Sequence, residues 1–156
     1  MELPTHKSTQ NEWLRLRTNL LYSANWLANA LKDHLRPYEL TLKQYNVLRI
    51  LETHYPDSLP IQIVRSQMID KMSDVSRILD RLVGKDLVGK QCCEDDRRSN
   101  RVKLTEAGLQ KLQAVDQTLA ELDAITQSIS LEQAEQLNQL LESLCQQCSG
   151  PTSPHS

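Results

Sequence analysis

Phenylalanine is absent from this 156-residue chain, and other aromatic residues are few: two Trp and four Tyr. The apolar content is mostly Leu set in helical registers, so a helix-rich fold is expected. No uninterrupted apolar run approaches the ~20 residues of a membrane span. The first residues, Met1-Glu2-Leu3-Pro4-Thr5-His6, lack the basic and apolar regions of a secretory signal. A cytoplasmic protein with no membrane partner is the expectation. The four His (His6, His34, His54 and His155) are scattered. There is no nucleophile motif, no Gly-rich phosphate loop and no paired His-Glu metal motif, so neither enzymatic activity nor a cofactor is expected. The four Cys fall as Cys92-Cys93 and Cys145-Gln146-Gln147-Cys148. Adjacent Cys rarely ligate one ion together and only one C-x-x-C is present, which argues against a metal site. A reducing compartment argues against a disulfide framework.

What is present is uneven in charge. The net value of −2 divides into +1 over residues 1–70, +3 over 71–104 and −6 over 105–156. A basic middle beside an acidic end gives a local positive face on an acidic molecule. The length fits one domain, able to bury roughly two-thirds of its unfolded surface.

The basic stretch carries the motif. From Met72 to Val83 the residues Val75, Ile78, Leu79, Leu82 and Val83 make one apolar stripe at helical spacing. Ser73, Asp74, Ser76, Arg77, Asp80 and Arg81 are left on the polar side. Leu87-Val88 opens an extended stretch to Cys92-Cys93. The charged run Glu94-Asp95-Asp96-Arg97-Arg98-Ser99-Asn100 follows, and Arg101-Val102-Lys103-Leu104 returns as a second strand. Thr105-Glu106-Ala107-Gly108 opens another helix. A helix, a long-looped hairpin and a helix, with paired arginines at the loop tip, is the layout of a winged helix-turn-helix.

Two runs within it resemble the MarR family of bacterial transcriptional regulators. Asp96-Arg97-Arg98 followed by Leu104-Thr105-Glu106-Ala107-Gly108 looks like that family's wing signature. Val75-Ser76-Arg77-x-x-Asp80-Arg81-Leu82-x-x-Lys85-x-Leu87-Val88 is similar to its recognition helix and strand entry. Together they cover about a quarter of the chain. Asp86 stands where the family commonly has Gly, and Cys93-Glu94 replaces a stretch that often contains Pro. The resemblance implies a two-fold dimer with interlocking termini. It also implies a response to small, often aromatic or anionic compounds bound between the dimerisation helices and the DNA-binding lobe.

The flanking pattern is helical. Residues 9–35 carry two neighbouring apolar stripes, one with Trp13, Leu20, Leu27, Ala24 and Leu31, the other with Leu14, Leu21, Ala28 and Leu35. That face is wider than one small domain needs, which points to a second subunit. Arg36-Pro37 ends the helix. Thr41-Leu42-Lys43-Gln44 reads as a capping box, opening a helix with Leu42, Tyr45, Leu48 and Leu51 buried. A loop at Tyr55–Pro60 and a short helix over 61–68, with Ile61, Val64 and Met68 inward, lead to the turn Ile69-Asp70-Lys71. From Thr105 a long helix carries Leu109, Leu112, Val115, Leu119, Leu122 and Ile125. Ser130-Leu131-Glu132-Gln133 caps a last helix with Leu131, Ala134, Leu137, Leu141 and Leu144 inward. The expected architecture is thus mostly α with a small β-hairpin wing. One domain spans 1–148, with dimerisation helices at about 9–35 and 105–146, a DNA-binding lobe at about 41–104 and a disordered tail at 149–156.

On a helix lying in the major groove, Ser73, Asp74, Ser76 and Arg77 would meet base edges. Arg77 can pair with guanine in bidentate fashion. Asp74 is either a base reader or a helix N-terminal charge, and Arg81 binds either phosphate or the neighbouring Asp80. On the wing, an arginine can enter a narrow minor groove. The Asp96/Arg98 spacing suits a carboxylate that holds such an arginine, roles the resemblance also implies. Arg97 and Lys103 would contact phosphate. Trp13, Trp26, His34, Tyr38 and Tyr45 could line an effector pocket. Cys92 and Cys93, near Arg97, could sense oxidation, since neighbouring arginines favour the thiolate. The expected function is a homodimeric, ligand-responsive repressor binding an inverted repeat in double-stranded DNA. The alternatives are a winged-helix interaction module without specific DNA binding and a cysteine-based redox regulator.

Overall fold

The computed structural model describes residues 12–92, 100–119 and 128–148, in two compact units that divide after Leu119. In the first unit, helix α1 spans Glu12–Leu35. It ends at Arg36-Pro37, as the proline requires, by tightening into a 3-10 turn, Arg36–Tyr38. Glu39 then takes a left-handed backbone (φ 55), and its N–H donates to Arg36 O at 3.0 Å. Helix α2, Leu42–Glu52, starts on the expected capping box: Thr41 Oγ1 accepts from Gln44 N–H at 3.2 Å, and Gln44 Oε1 accepts from Thr41 N–H at 3.0 Å. Leu48 and Leu51 are buried as expected, with Val47 and Ile50 beside them. Leu42 and Tyr45 are only half-buried.

A strand that the sequence pattern does not reveal follows. Leu59–Pro60 (β1) pairs antiparallel with β3, Asn100–Leu104, through Leu59↔Val102 and Pro60↔Arg101. Two residues, one of them proline, carry no periodicity to read. Helix α3 is Ile61–Gln67, and α4 is Val75–Gly84. Strand β2, Val88–Cys92, pairs with β3 from Val88↔Leu104 to Cys92↔Asn100, so the sheet order is β1-β3-β2. Helix α5 is Glu106–Thr118. Leu112 and Val115 on it are buried, Leu109 and Leu119 are half-buried, and Leu122 and Ile125 lie outside the described residues.

One core joins these elements. Leu48 and Leu51 of α2, Val64 of α3, Leu79 and Leu82 of α4, Val88 and Val102 of the hairpin, and Leu112 and Val115 of α5 are all nearly or fully excluded from solvent. At ~25 cal/mol per Å² of apolar surface removed from water, such a cluster is the main force holding the helices to the sheet. Arg49 adds a polar tie between α2 and α5. It donates to Tyr45 Oη at 2.9 Å, to Glu52 Oε2 at 2.7 Å and to Asp116 Oδ1. Burial works against its charge, yet the hydrogen bonds to Glu52 and Asp116 leave its pKa raised, so it is a permanent cation.

The junction of α4, wing and α5 is tight. Asp86 takes the left-handed conformation (φ 58) at the position where the resembled family commonly has Gly. Thr105 N–H donates to Leu87 O at 3.2 Å, and Thr105 Oγ1 donates to Asp86 O at 2.7 Å while accepting from Gly108 N–H at 3.0 Å. Thr105 therefore caps α5 and closes the hairpin together.

The second unit contains helix α6, Leu131–Cys148. Ser130 and Gln133 form the expected reciprocal cap, at 3.2 and 2.9 Å. Against expectation, Leu131, Leu137 and Leu144 are exposed in the single chain, while Ala134 and Leu141 are half-buried.

Candidate nucleic-acid interface

Helix α4 is strongly two-faced. Val75, Leu79 and Leu82 are locked into the core, and Ser76, Arg77, Asp80 and Arg81 are exposed on the other side. At its start, Asp74 takes the helix N-terminal place: Oδ1 accepts from Arg77 N–H at 3.1 Å, so the carboxylate is the N-cap. A cap also places negative charge at the positive end of the helix dipole. Ser73 departs from expectation. It precedes the cap and is buried. Asp80 is not Arg81's partner either, because it binds Lys90 Nζ of β2 at 2.6 Å and braces α4 against the wing.

On the sheet, Lys103 is half-buried, with its alkyl stem across Gly89: a Cβ on Gly89 would sit 3.6 Å from Lys103 Cγ. Arg101 is tied inward, donating from Nε to Ser58 Oγ at 2.8 Å and from Nη2 to Ser58 O. It is an anchor between β3 and the entry to β1, a role that the clustered basic residues of the sequence do not reveal. Asp96, Arg97, Arg98 and Cys93 lie outside the described residues, as does the side chain of Cys92.

The five residues that could line an effector pocket lie apart from the cleft between α1, α2 and α4. Trp13 is 80% exposed. His34 and Tyr38 tie the end of α1 and the turn after it to α5. Tyr38 Oη lies 3.0 Å from Ala114 O and 2.6 Å from Thr118 Oγ1, which also meets His34 Nε2 at 3.1 Å. Tyr45 lies under the Arg49 guanidinium, 5.0 Å from its ring centroid. Trp26 is half-buried and, like the others, does not line a cleft formed by described residues of the first unit.

That cleft, of about 630 Å³, opens between α1, the start of α2 and α4. Leu40, Leu42 and Ile78 give it apolar walls, and Lys32, Arg36, Lys43 and Arg81 ring it with positive charge. Arg36 and Lys43 are paired with Asp33 and Asp70, at 2.9 and 2.7 Å. No carboxylate is among the described residues lining the cleft. Sequence reasoning misses Lys32, Arg36 and Lys43 because they come from separate elements and share no motif. Among the described residues, no group of three or more His, Cys, Asp or Glu is placed to hold a metal ion. No helix there is long and apolar enough to cross a membrane.

The MarR family model matches residues 40–99. Among solved structures, AbsC of Streptomyces coelicolor, a MarR family transcriptional regulator, is 25% identical at a TM-score of 0.76, with 94% of this chain and 99% of that one covered. A mutant MarR from E. coli, complexed with operator DNA, is 22% identical at 0.72, covering 88% and 98%. NadR in complex with 4-hydroxyphenylacetate is 22% identical at 0.70, covering 91% and 97%.

Proposed function

We propose that the chain is a winged-helix transcriptional regulator of the MarR family, acting as a homodimeric repressor on an inverted repeat in double-stranded DNA and released by a small anionic effector. The observation that carries the reading is α4, held in the core through Val75, Leu79 and Leu82 while it offers Ser76 and Arg77 at its exposed N-terminal end. A helix fixed in this way can enter a major groove without losing its register. Arg77 supplies a fork for guanine, worth ~1–3 kcal/mol of discrimination. Asp74 stabilises the end of the helix nearest the bases.

In this reading the wing works beside α4. The Lys90–Asp80 pair fixes the angle between hairpin and helix, and Arg98, held by Asp96, enters the adjacent minor groove. Arg97 and Lys103 neutralise phosphates. The likeness to a MarR from E. coli complexed with operator DNA supports DNA as the partner.

Two-fold symmetry would present two copies of α4 one helical turn of DNA apart, about 34–36 Å. The dimer is supported by the apolar surface that single-chain packing leaves uncovered, Trp13 and Leu21 on α1 and Leu131 and Leu140 on α6. The effector reading rests on the cleft, whose mixture of Leu and Ile walls with a cationic rim suits an aromatic carboxylate of the kind bound by NadR. Because Arg81 of α4 shares that cleft with α1, an occupant bound better in one arrangement of these helices shifts the DNA-competent population.

Competition binding with Arg77→Ala tests the role of α4. Loss confined to sites with guanine at one position per half-site, about 5- to 100-fold by the discrimination above, is the expected result. A uniform loss across all sequences makes Arg77 a phosphate contact.

A further inference from the structure

The turn between α3 and α4 carries the two most exposed large apolar side chains among the described residues of the first unit. Met72 is 92% exposed and Ile69 is 82% exposed. Single exposed apolar residues are ordinary on a protein surface. Here two fall within four residues, on a turn whose backbone is firmly held. Ile69 N–H donates to Asn46 Oδ1 at 3.0 Å, Met72 N–H to Asp70 Oδ1 at 3.0 Å, and Ser73 N–H to Asp70 O at 3.1 Å. Asp70 is itself fixed by Lys43 Nζ at 2.7 Å. That lysine, with the Met72 N–H, holds its carboxyl below the usual range, so it stays charged throughout the neutral range.

The position of the turn decides what such side chains can touch. Met72 stands two residues before the Asp74 cap, at the end of α4 that meets base edges, and Ser76 and Arg77 are exposed on the next turn of the helix. The surrounding segment, 71–104, is the basic one, so the expected occupant of this surface is polyanionic. The major groove of DNA contains one apolar feature, the C5-methyl of thymine. An unbranched thioether adapts readily to a small apolar partner.

We propose that Met72, with Ile69 from the same turn, reads thymine C5-methyl groups in the major groove and sets part of the sequence preference of each half-site. The inference rests on the DNA-binding reading above and extends it to residues that carry neither charge nor hydrogen-bonding groups. Hydrophobic contact with a methyl adds discrimination without salt dependence, which separates it from the contribution of the arginines.

The test uses the full chain and a duplex that it selects from a random pool. Each thymine is replaced in turn by deoxyuridine, which removes the methyl and keeps every hydrogen-bonding group. For the native protein, a single replacement at the contacted position of either half-site should weaken binding about fourfold, the value of one buried methyl group. Met72→Ala, which removes the contact from both half-sites of a dimer, should bind the thymine duplex about fifteenfold more weakly and be indifferent to the same replacement. Met72→Leu should keep the penalty. Both variants change a side chain almost entirely in solvent, so the fold is not at issue. A selected duplex bound equally well with uracil at every position overturns the methyl reading alone, as does a Met72→Ala protein that retains the full penalty. Failure to enrich any duplex overturns the DNA-binding reading and this one together.

Discussion

Asp74 shows how one side chain can carry two readings when only its charge is known. An acid facing a polyanion looks like a specificity element, because it accepts only a donor such as a cytosine amino group. The hydrogen bond from Arg77 N–H gives it a different task, satisfying one of the donors left open at the start of α4. Asp74→Ala should lower unfolding stability by about 1 kcal/mol, a typical N-cap loss. Asp74→Asn retains an acceptor and should cost less than half of that. Thermal or urea unfolding of the two variants checks this, and equal losses would mean that the carboxylate charge, rather than the cap bond, matters. Ser73 and Asp80 are illegible for a related reason. Helical spacing gives the face of a residue only once the first turn of the helix is known, and ion-pair partners such as Lys90 come from another element.

The helices are legible in the sequence because their signals are local. Thr41, Thr105 and Ser130 each announce a start within four residues, and each makes the cap that its sequence suggests. The β2–β3 hairpin is legible from its two short apolar strands flanking a charged run. Strand β1 is not, since its pairing to Val102 depends on a partner far along the chain. The cleft is illegible for the same reason, as its cations converge from separate elements. Contacts between elements also reverse simple propensity rules. In an exposed helix, Gly→Ala gains up to about 1 kcal/mol. Gly84, at the end of α4, has open space where a Cβ would sit, with nothing within 4 Å, and Gly84→Ala should be stabilising by roughly 0.5–1 kcal/mol. At Gly108 a Cβ would fall 2.2 Å from Leu87 O and 2.7 Å from Leu104 Cδ1, so the backbone of α5 must move off the hairpin. Gly108→Ala should therefore destabilise by about 1–3 kcal/mol. The opposite signs of these two changes, read by urea midpoints, test whether α5 and the wing meet as closely as those distances require.

At the scale of the whole molecule, the proposed regulator must join two copies, hold DNA and respond to a ligand. Its apolar surplus and its charge distribution divide these tasks along the sequence. The surplus sits on α1 and α6, where Trp13 and Leu131 are mostly exposed. The positive excess sits over 71–104, and the −6 lies in a separate stretch, 105–156, so the basic surface keeps its local sign. Replacing Trp13 and Leu21 together by Glu should shift the protein toward monomer in sedimentation experiments. It should also weaken operator binding, because a lone lobe loses the second half-site. A double variant that remains dimeric would remove α1 from the interface. Sequence-specific binding of DNA through a basic α4–wing surface is tested most directly by a salt series on a duplex selected by the full chain. Log affinity should fall linearly with log salt, with a slope near −0.9 for each phosphate neutralised. The selected duplex should outcompete random DNA at every salt concentration. Binding that is insensitive to salt, or no binding even to low-salt duplex, would contradict the account and favour a winged-helix module that docks on another protein.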